Sequence, residues 1–229
     1  SVMLHRGEYP QAIIHLNKAL AIREELNDVW HMSSTLNNLG NSYMGLGDLT
    51  KSLELYEKSV ENSRKIGDNR ALSISLTNMG NILACLGDMK KAMDYYLQSY
   101  DLKVKFDDKW GLSTTLENIG TLNFSFGKME DALESYRKSL AIREKINDIA
   151  GISLSHINIG EAYHFDGRYE EAYTHYSKAL EIAERVGEKW LVIVSNYRIA
   201  ENLLAIGKIP EALQRANRAL SISIETSSK

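Results

Sequence analysis

The sequence predicts an all-α fold, a solenoid of antiparallel helix pairs, and three observations predict it. Glycine recurs at a fixed spacing of forty residues, at Gly7, Gly47, Gly87, Gly127, Gly167 and Gly207. Seven residues ahead of these, Gly40, Gly80, Gly120 and Gly160 keep the same period until Ala200 breaks it. Between them the apolar residues step by three and four, as Leu36, Leu39, Tyr43 and Leu46 do, which is the period of a helix face and not of a strand. A unit of forty residues cannot bury such a face alone, so its copies must stack. The 229 residues therefore divide into about five and a half units. No Pro, Gly or Ser-rich run offers a linker, so one domain over 1–229 is expected: a partial unit at 1–28, then 29–68, 69–108, 109–148, 149–188 and 189–229.

Residues 1–7 repeat the pattern of 41–47, so the chain is expected to begin inside the first helix of a unit, as a fragment of a longer protein. The next helix spans 8–26, with Ala12, Leu16, Ala19 and Leu20 on one face. Asn27 and Asp28 end it, and the Asp28 carboxylate is expected to cap the helix after it by accepting from its free amides. The first full unit has helices at 29–46 and 48–66. Ser52, Leu53, Tyr56, Ser59 and Val60 of the second helix face the Leu36 stripe of the first. Small residues at Ser52, Ala92, Ala132, Ala172 and Ala212, and at Ala19, Ser59, Ser99, Ser139, Ala179 and Ala219, let the paired helices approach closely. Gly47 and its copies stand at the corner, where positive φ is needed. The later units run over 69–106, 109–146, 149–186 and 189–225, each preceded by an acid, Asp68, Asp108, Asp148 or Glu188. Residues 226–229 are expected to fray.

Composition excludes several function classes. With 27 Lys and Arg against 30 Asp and Glu, the net charge of −3 supplies no attraction for nucleic acid or an anionic membrane. No apolar run approaches the eighteen or so residues of a span, and the first residues do not resemble a signal peptide. A single cysteine, Cys85, forms no internal disulfide and fits a reducing, cytoplasmic setting. The histidines show no metal spacing, so neither metal nor cofactor is expected; His156 takes a core position that leucine holds in other units. Trp30, Trp110 and Trp190, eighty residues apart at helix starts, read as packing residues. Glycines occur one per corner, never as a phosphate-cradling loop, and no serine has a patterned base, so an enzyme is not expected.

Leu39, Gly40, Tyr43, Gly47, Ser52, Tyr56 and Ser59 match in order the leucine, small residue, tyrosine, turn glycine, small residue, aromatic and small residue of the tetratricopeptide repeat. The chain resembles that family over essentially its whole length. It departs in serines where alanine is commoner, in Ala216 where the last unit should hold an aromatic, and in a period of forty instead of the usual thirty-four. The longer period is similar to that of kinesin light chains, Pins-type adaptors, and bacterial sensor kinases and transcription regulators. The resemblance implies a right-handed superhelix whose first helices line a concave, peptide-binding groove, at the positions of Asn37, Asn38, Asn41, Met44 and Gly45 in each unit.

Along that lining Asn38 recurs as Asn78, Asn118 and Asn158 before Arg198 replaces it, and one turn on stand Asn41, Asn81, Thr121, Glu161 and Glu201. An asparagine amide both donates and accepts, so a row of them can hold a peptide backbone without reading its side chains. The groove is expected to be neutral at its N-terminal end and charged near Glu161, Arg198 and Glu201, where a basic group of the ligand would lie. A purely internal role, each amide bonding to its neighbour in the next unit, is the alternative. Position 37 reads Asn37, Thr77, Glu117, Ile157 and Tyr197 and lacks the lysine of the family's carboxylate clamp, which disfavours that ligand class. The candidate site is thus Asn37, Asn38, Asn41, Asn78, Asn81, Asn118, Asn158, Glu161, Tyr197, Arg198 and Glu201. The function expected is a non-catalytic protein- or peptide-binding scaffold. The alternatives are a sensor module controlling an attached kinase, cyclase or transcription-factor domain, and a scaffold that self-associates end to end.

Overall fold

The computed structural model describes residues 8–227. Among them lie eleven α-helices and no strand: α1 (Tyr9–Glu25), α2 (Val29–Gly45), α3 (Leu49–Ile66), α4 (Asn69–Cys85), α5 (Met89–Lys105), α6 (Lys109–Ser125), α7 (Met129–Lys145), α8 (Ile149–Phe165), α9 (Tyr169–Val186), α10 (Lys189–Ala205) and α11 (Ile209–Ser227). The expected helices are therefore all present from 8 onward; the incomplete helix ending at Gly7 lies outside the described residues. Two compact units divide within α6, between Asn118 and Ile119.

Each corner depends on a residue that tolerates positive φ. At Gly47, φ is 82°, the Gly47 N–H donates to Met44 O and the Asp48 N–H to Tyr43 O, so two of the last carbonyls of α2 are satisfied as the chain turns. The corner between one repeat and the next is built the same way, which the glycine period alone does not reveal. Asn27, Gly67, Asp107, Asn147 and Gly187, again forty apart, all have positive φ. Asparagine and aspartate are the non-glycine residues that visit this region most readily.

Asp68, Asp108 and Asp148 each accept a hydrogen bond from the amide three residues on, as N-caps do. Asp28 does not: no cap bond forms, and both carboxylate oxygens instead face His31 Nδ1 at 2.8 and 2.9 Å. The imidazole in the first turn of α2 competes for the carboxylate, and the expected cap is lost to it. Glu188, one methylene longer, also makes no cap bond.

In the first compact unit Leu36, Leu39 and Leu55 form a buried core on which Ile13, Leu16, Leu20 and Tyr43 pack. The second is centred on residues that include Tyr136, Ile159, Ala162, Tyr176, Leu191 and Ile199. In four of the helix pairs a tyrosine of the second helix packs against a glycine of the first. A Cβ at Gly40 would overlap the Tyr56 ring, and Gly80, Gly120 and Gly160 face Tyr96, Tyr136 and Tyr176 just as closely. The small residues at the helix crossings are buried, except for the half-buried Ala19, and the serines add polar links. Ser52 Oγ donates to Gly40 O at 2.9 Å and Ser59 Oγ to Ser33 O at 2.9 Å, which explains serine where the family favours alanine.

Candidate functional site

The predicted residues sit on the first helices because their positions fall beside, and not on, the apolar stripe. In the first compact unit Asn38, Asn41, Asn78, Asn81 and Asn118 are half-buried. Asn37 is buried; its Nδ2 donates to Ser75 Oγ at 2.9 Å and its Oδ1 accepts from Asn78 Nδ2 at 3.2 Å. One step along, Asn118 Nδ2 donates to Asn81 Oδ1 at 3.0 Å. Two tyrosines complete the lattice, Tyr56 donating to Asn41 Oδ1 at 2.6 Å and Tyr96 to Asn81 Oδ1 at 2.7 Å. Internal bonding, the alternative left open by the sequence, is therefore present in this compact unit.

The groups left over by those bonds are ordered. Asn81 Oδ1 accepts twice and is saturated, so the Asn81 amide nitrogen keeps both donors without a partner among the described residues. Asn78 and Asn118 are engaged through their nitrogens, and their Oδ1 acceptors remain without one. Along the row the unused groups run acceptor, donor, acceptor.

Beside Asn78 and Asn81 opens a cavity of about 260 Å³, walled by Ile74, Thr77, Thr114 and the exposed Trp110, with Lys103 and Asp108 also lining it. Lys103 reaches it from α5. Its buried ammonium donates to Thr77 Oγ1 at 2.7 Å and Thr115 Oγ1 at 2.8 Å, and burial pushes its pKa down to about 8. Sequence reasoning missed this lysine because it stands on a second helix among many other charged residues. A signal was there: Arg23, Lys103 and Arg143 are eighty and forty residues apart, and Lys103 and Arg143 are each succeeded eight residues later by glycine. A Cβ at Gly111 would lie 2.9 Å from Lys103 Cε, and one at Gly151 2.7 Å from Arg143 Cδ. Where the cation is replaced by Ala183, the facing position fills with Leu191.

In the second compact unit the same rung is ionic. Arg198, at the position of Asn118, reaches Glu161, at the position of Asn81, with Nη2 2.9 Å from Oε1. Its Nη1 lies 2.9 Å from Glu201 Oε2. Two carboxylates around one guanidinium leave a net charge of about −1. Asn158 is half-buried, with no side-chain hydrogen-bond partner among the described residues. Tyr197 is exposed, whereas its counterparts Asn37, Thr77 and Ile157 are buried. His156 is buried, as its core position predicts, and meets His175 with the two Nδ1 atoms 3.0 Å apart. A larger cavity, about 480 Å³, lies between α9 and α11 and is lined by none of the predicted residues. Among the described residues no group of three or more His, Cys, Asp or Glu could hold a metal, and no helix is long and apolar enough to cross a membrane.

Family models described as tetratricopeptide repeat match residues 31–105 and 151–225, and a further one matches 112–149. No curated protein sequence matches the chain. Among solved structures it is similar to BtubC (BKLC) from P. vanneervenii, 16% identical, with 96% of this chain and 93% of that one covered at a TM-score of 0.84. It is similar also to a putative kinesin light chain from Podosopora anserina with nearly identical TPR-like repeats, 18% identical, covering 87% and 99% at 0.72. A third is a Rap protein complexed with Competence and Sporulation Factor, 13% identical, covering 99% and 73% at 0.77.

Proposed function

This chain belongs to the tetratricopeptide repeat family, and from that premise we propose that it is a non-catalytic scaffold that binds an extended peptide segment of a partner along its first helices. The observation that carries the reading is the alternation of unused acceptor, donor and acceptor at Asn78, Asn81 and Asn118. A peptide unit presents one N–H and one C=O, so such a row can take both. The internal bonds support this role instead of competing with it, because they hold each amide in one orientation before the ligand arrives. Trp110 and the cavity beside Asn78 and Asn81 accommodate one apolar side chain of the ligand. In the second compact unit, the excess carboxylate at Glu161, Arg198 and Glu201 favours a basic side chain. The Rap complex with a bound factor is in keeping with the reading at the level of the fold.

Asn81→Asp tests it with little disturbance. The substitution keeps the oxygen to which Tyr96 and Asn118 donate and removes the two unused N–H donors. A random-peptide selection on the wild-type protein and on this variant, both verified as folded by circular dichroism, is expected to lose its captured peptides in the variant. Capture of the same peptides by both would move the ligand off this row.

A further inference from the structure

The cavity of about 480 Å³ between α9 and α11 has an occupied counterpart one repeat earlier. Its floor is the buried Leu203, in the last turn of α10. Forty residues before Leu203 stands Tyr163, and forty before Lys208 and Arg215, two further lining residues, stand Arg168 and His175. Those three earlier side chains pack together. The Arg168 guanidinium carbon lies 4.4 Å from the centre of the Tyr163 ring, and the centre of the His175 ring lies 5.6 Å from it. Arg137 of α7 donates to the Tyr163 hydroxyl, and the phenol is buried. The positions that enclose a tyrosine ring in one repeat thus line a cavity in the next, because leucine is several atoms shorter than tyrosine. Leu83, another leucine at this place, is accompanied by the half-buried Tyr95 at the place of Arg215; the last repeat has an aromatic ring at neither.

We propose that this cavity binds a tyrosine side chain of a protein partner, seated on Leu203 as the chain's own Tyr163 is seated one repeat earlier. Tyr169 and Tyr173 of α9 wall one side, and the exposed Tyr173 and Ile206 form a rim through which a ring carried on another chain can enter. Ring-to-ring contact, and a cation over a ring face, both favour an aromatic occupant over an aliphatic one. Lys208 takes the place of Arg168 as the cation, and Arg215 brings N–H donors for the hydroxyl, the part that Arg137 plays for Tyr163. Glu170 and Glu211 also line the cavity and balance these two cations, so a neutral phenol suits it better than an acidic or a basic group. Its walls and floor are α9, α10 and α11 themselves. Ile209 and Leu213, the α11 counterparts of Tyr169 and Tyr173, take no part in the lining. No residue of the asparagine row lines it either, so this contact is independent of the row.

N-acetyl-tyrosinamide titrated into the full chain is expected to give saturable shifts of the backbone amide resonances of residues 169–174 and 203–215, at the millimolar concentrations that suit a single side chain. N-acetyl-leucinamide should bind about tenfold more weakly. Leu203→Tyr, which restores the ring of the preceding repeat, should abolish the shifts and raise the melting temperature. Tyr173→Ala, at an exposed position where the fold is not at risk, should weaken binding several-fold. In a random-peptide selection, peptides captured here carry a tyrosine and survive Asn81→Asp but not Leu203→Tyr, which separates this site from the asparagine row. Absence of saturable shifts, equal binding of the two amides, or binding that persists in Leu203→Tyr would each overturn the proposal. So would binding of p-cresol without N-acetyl-tyrosinamide, which would make the site one for a free phenol instead of a protein partner.

Discussion

Leucine occupies the position of His156 in three other repeats, at Leu36, Leu76 and Leu116, whereas here two imidazoles meet in a buried site beside Tyr163. Burial first, and the neighbouring His175 second, push the His156 pKa from 6.5 down to about 4. Below pH 6.5 the unfolded chain therefore binds more protons at this residue than the folded one. Stability falls as the pH is lowered, by up to about 1.4 kcal/mol per unit, from pH 6.5 until about pH 4, and is indifferent above that window. His156→Leu is expected to remove this dependence. Urea unfolding of both proteins at about pH 5 and pH 7.5 should show the variant gaining on the wild type only at the lower value; an equal difference at both would refute the account.

The elements are set by their ends as much as by their faces. Two classes of corner alternate, and both demand a residue with positive φ, yet only one of them announces itself by invariant glycine. At Asn147, where φ is 55°, a β-branched side chain would clash with its own backbone. Asn147→Val is expected to lower stability by about 1–2 kcal/mol, while Asn147→Gly is tolerated; thermal unfolding distinguishes them, and equal melting temperatures would mean the corner relaxes. Caps behave less uniformly than their sequence suggests. Asp68 and Asp28 occupy the same place in the repeat, but a histidine three residues after Asp28 diverts its carboxylate.

At the scale of the whole molecule, each helix pair is buried by its neighbours, so a substitution costs what its local interface loses. Leu116 is 5% exposed and Leu116→Ala should cost about 2–5 kcal/mol. Leu154 is only half-buried, so the comparable loss that the repeat pattern implies there becomes a smaller one. Denaturant midpoints of the two variants measure the difference, and equal losses would contradict a cost set by local burial. Leu4, for which the incomplete first helix implies a small loss, lies outside the described residues.

The forty-residue period, the helix pairs, the glycine corner within each repeat and the crossing residues were legible in the sequence, because each is a local requirement repeated at a fixed interval. So was the row of asparagines as a set of positions. Which atoms of those amides remain unused was not legible, since it depends on tyrosines fifteen residues away and on the neighbouring repeat's amides, as at Asn81. Nor was the placement of Lys103 against Gly111. These belong to tertiary structure because they arise where two helices meet. A periodic sequence prescribes what each helix presents, and packing decides which of those groups are covered.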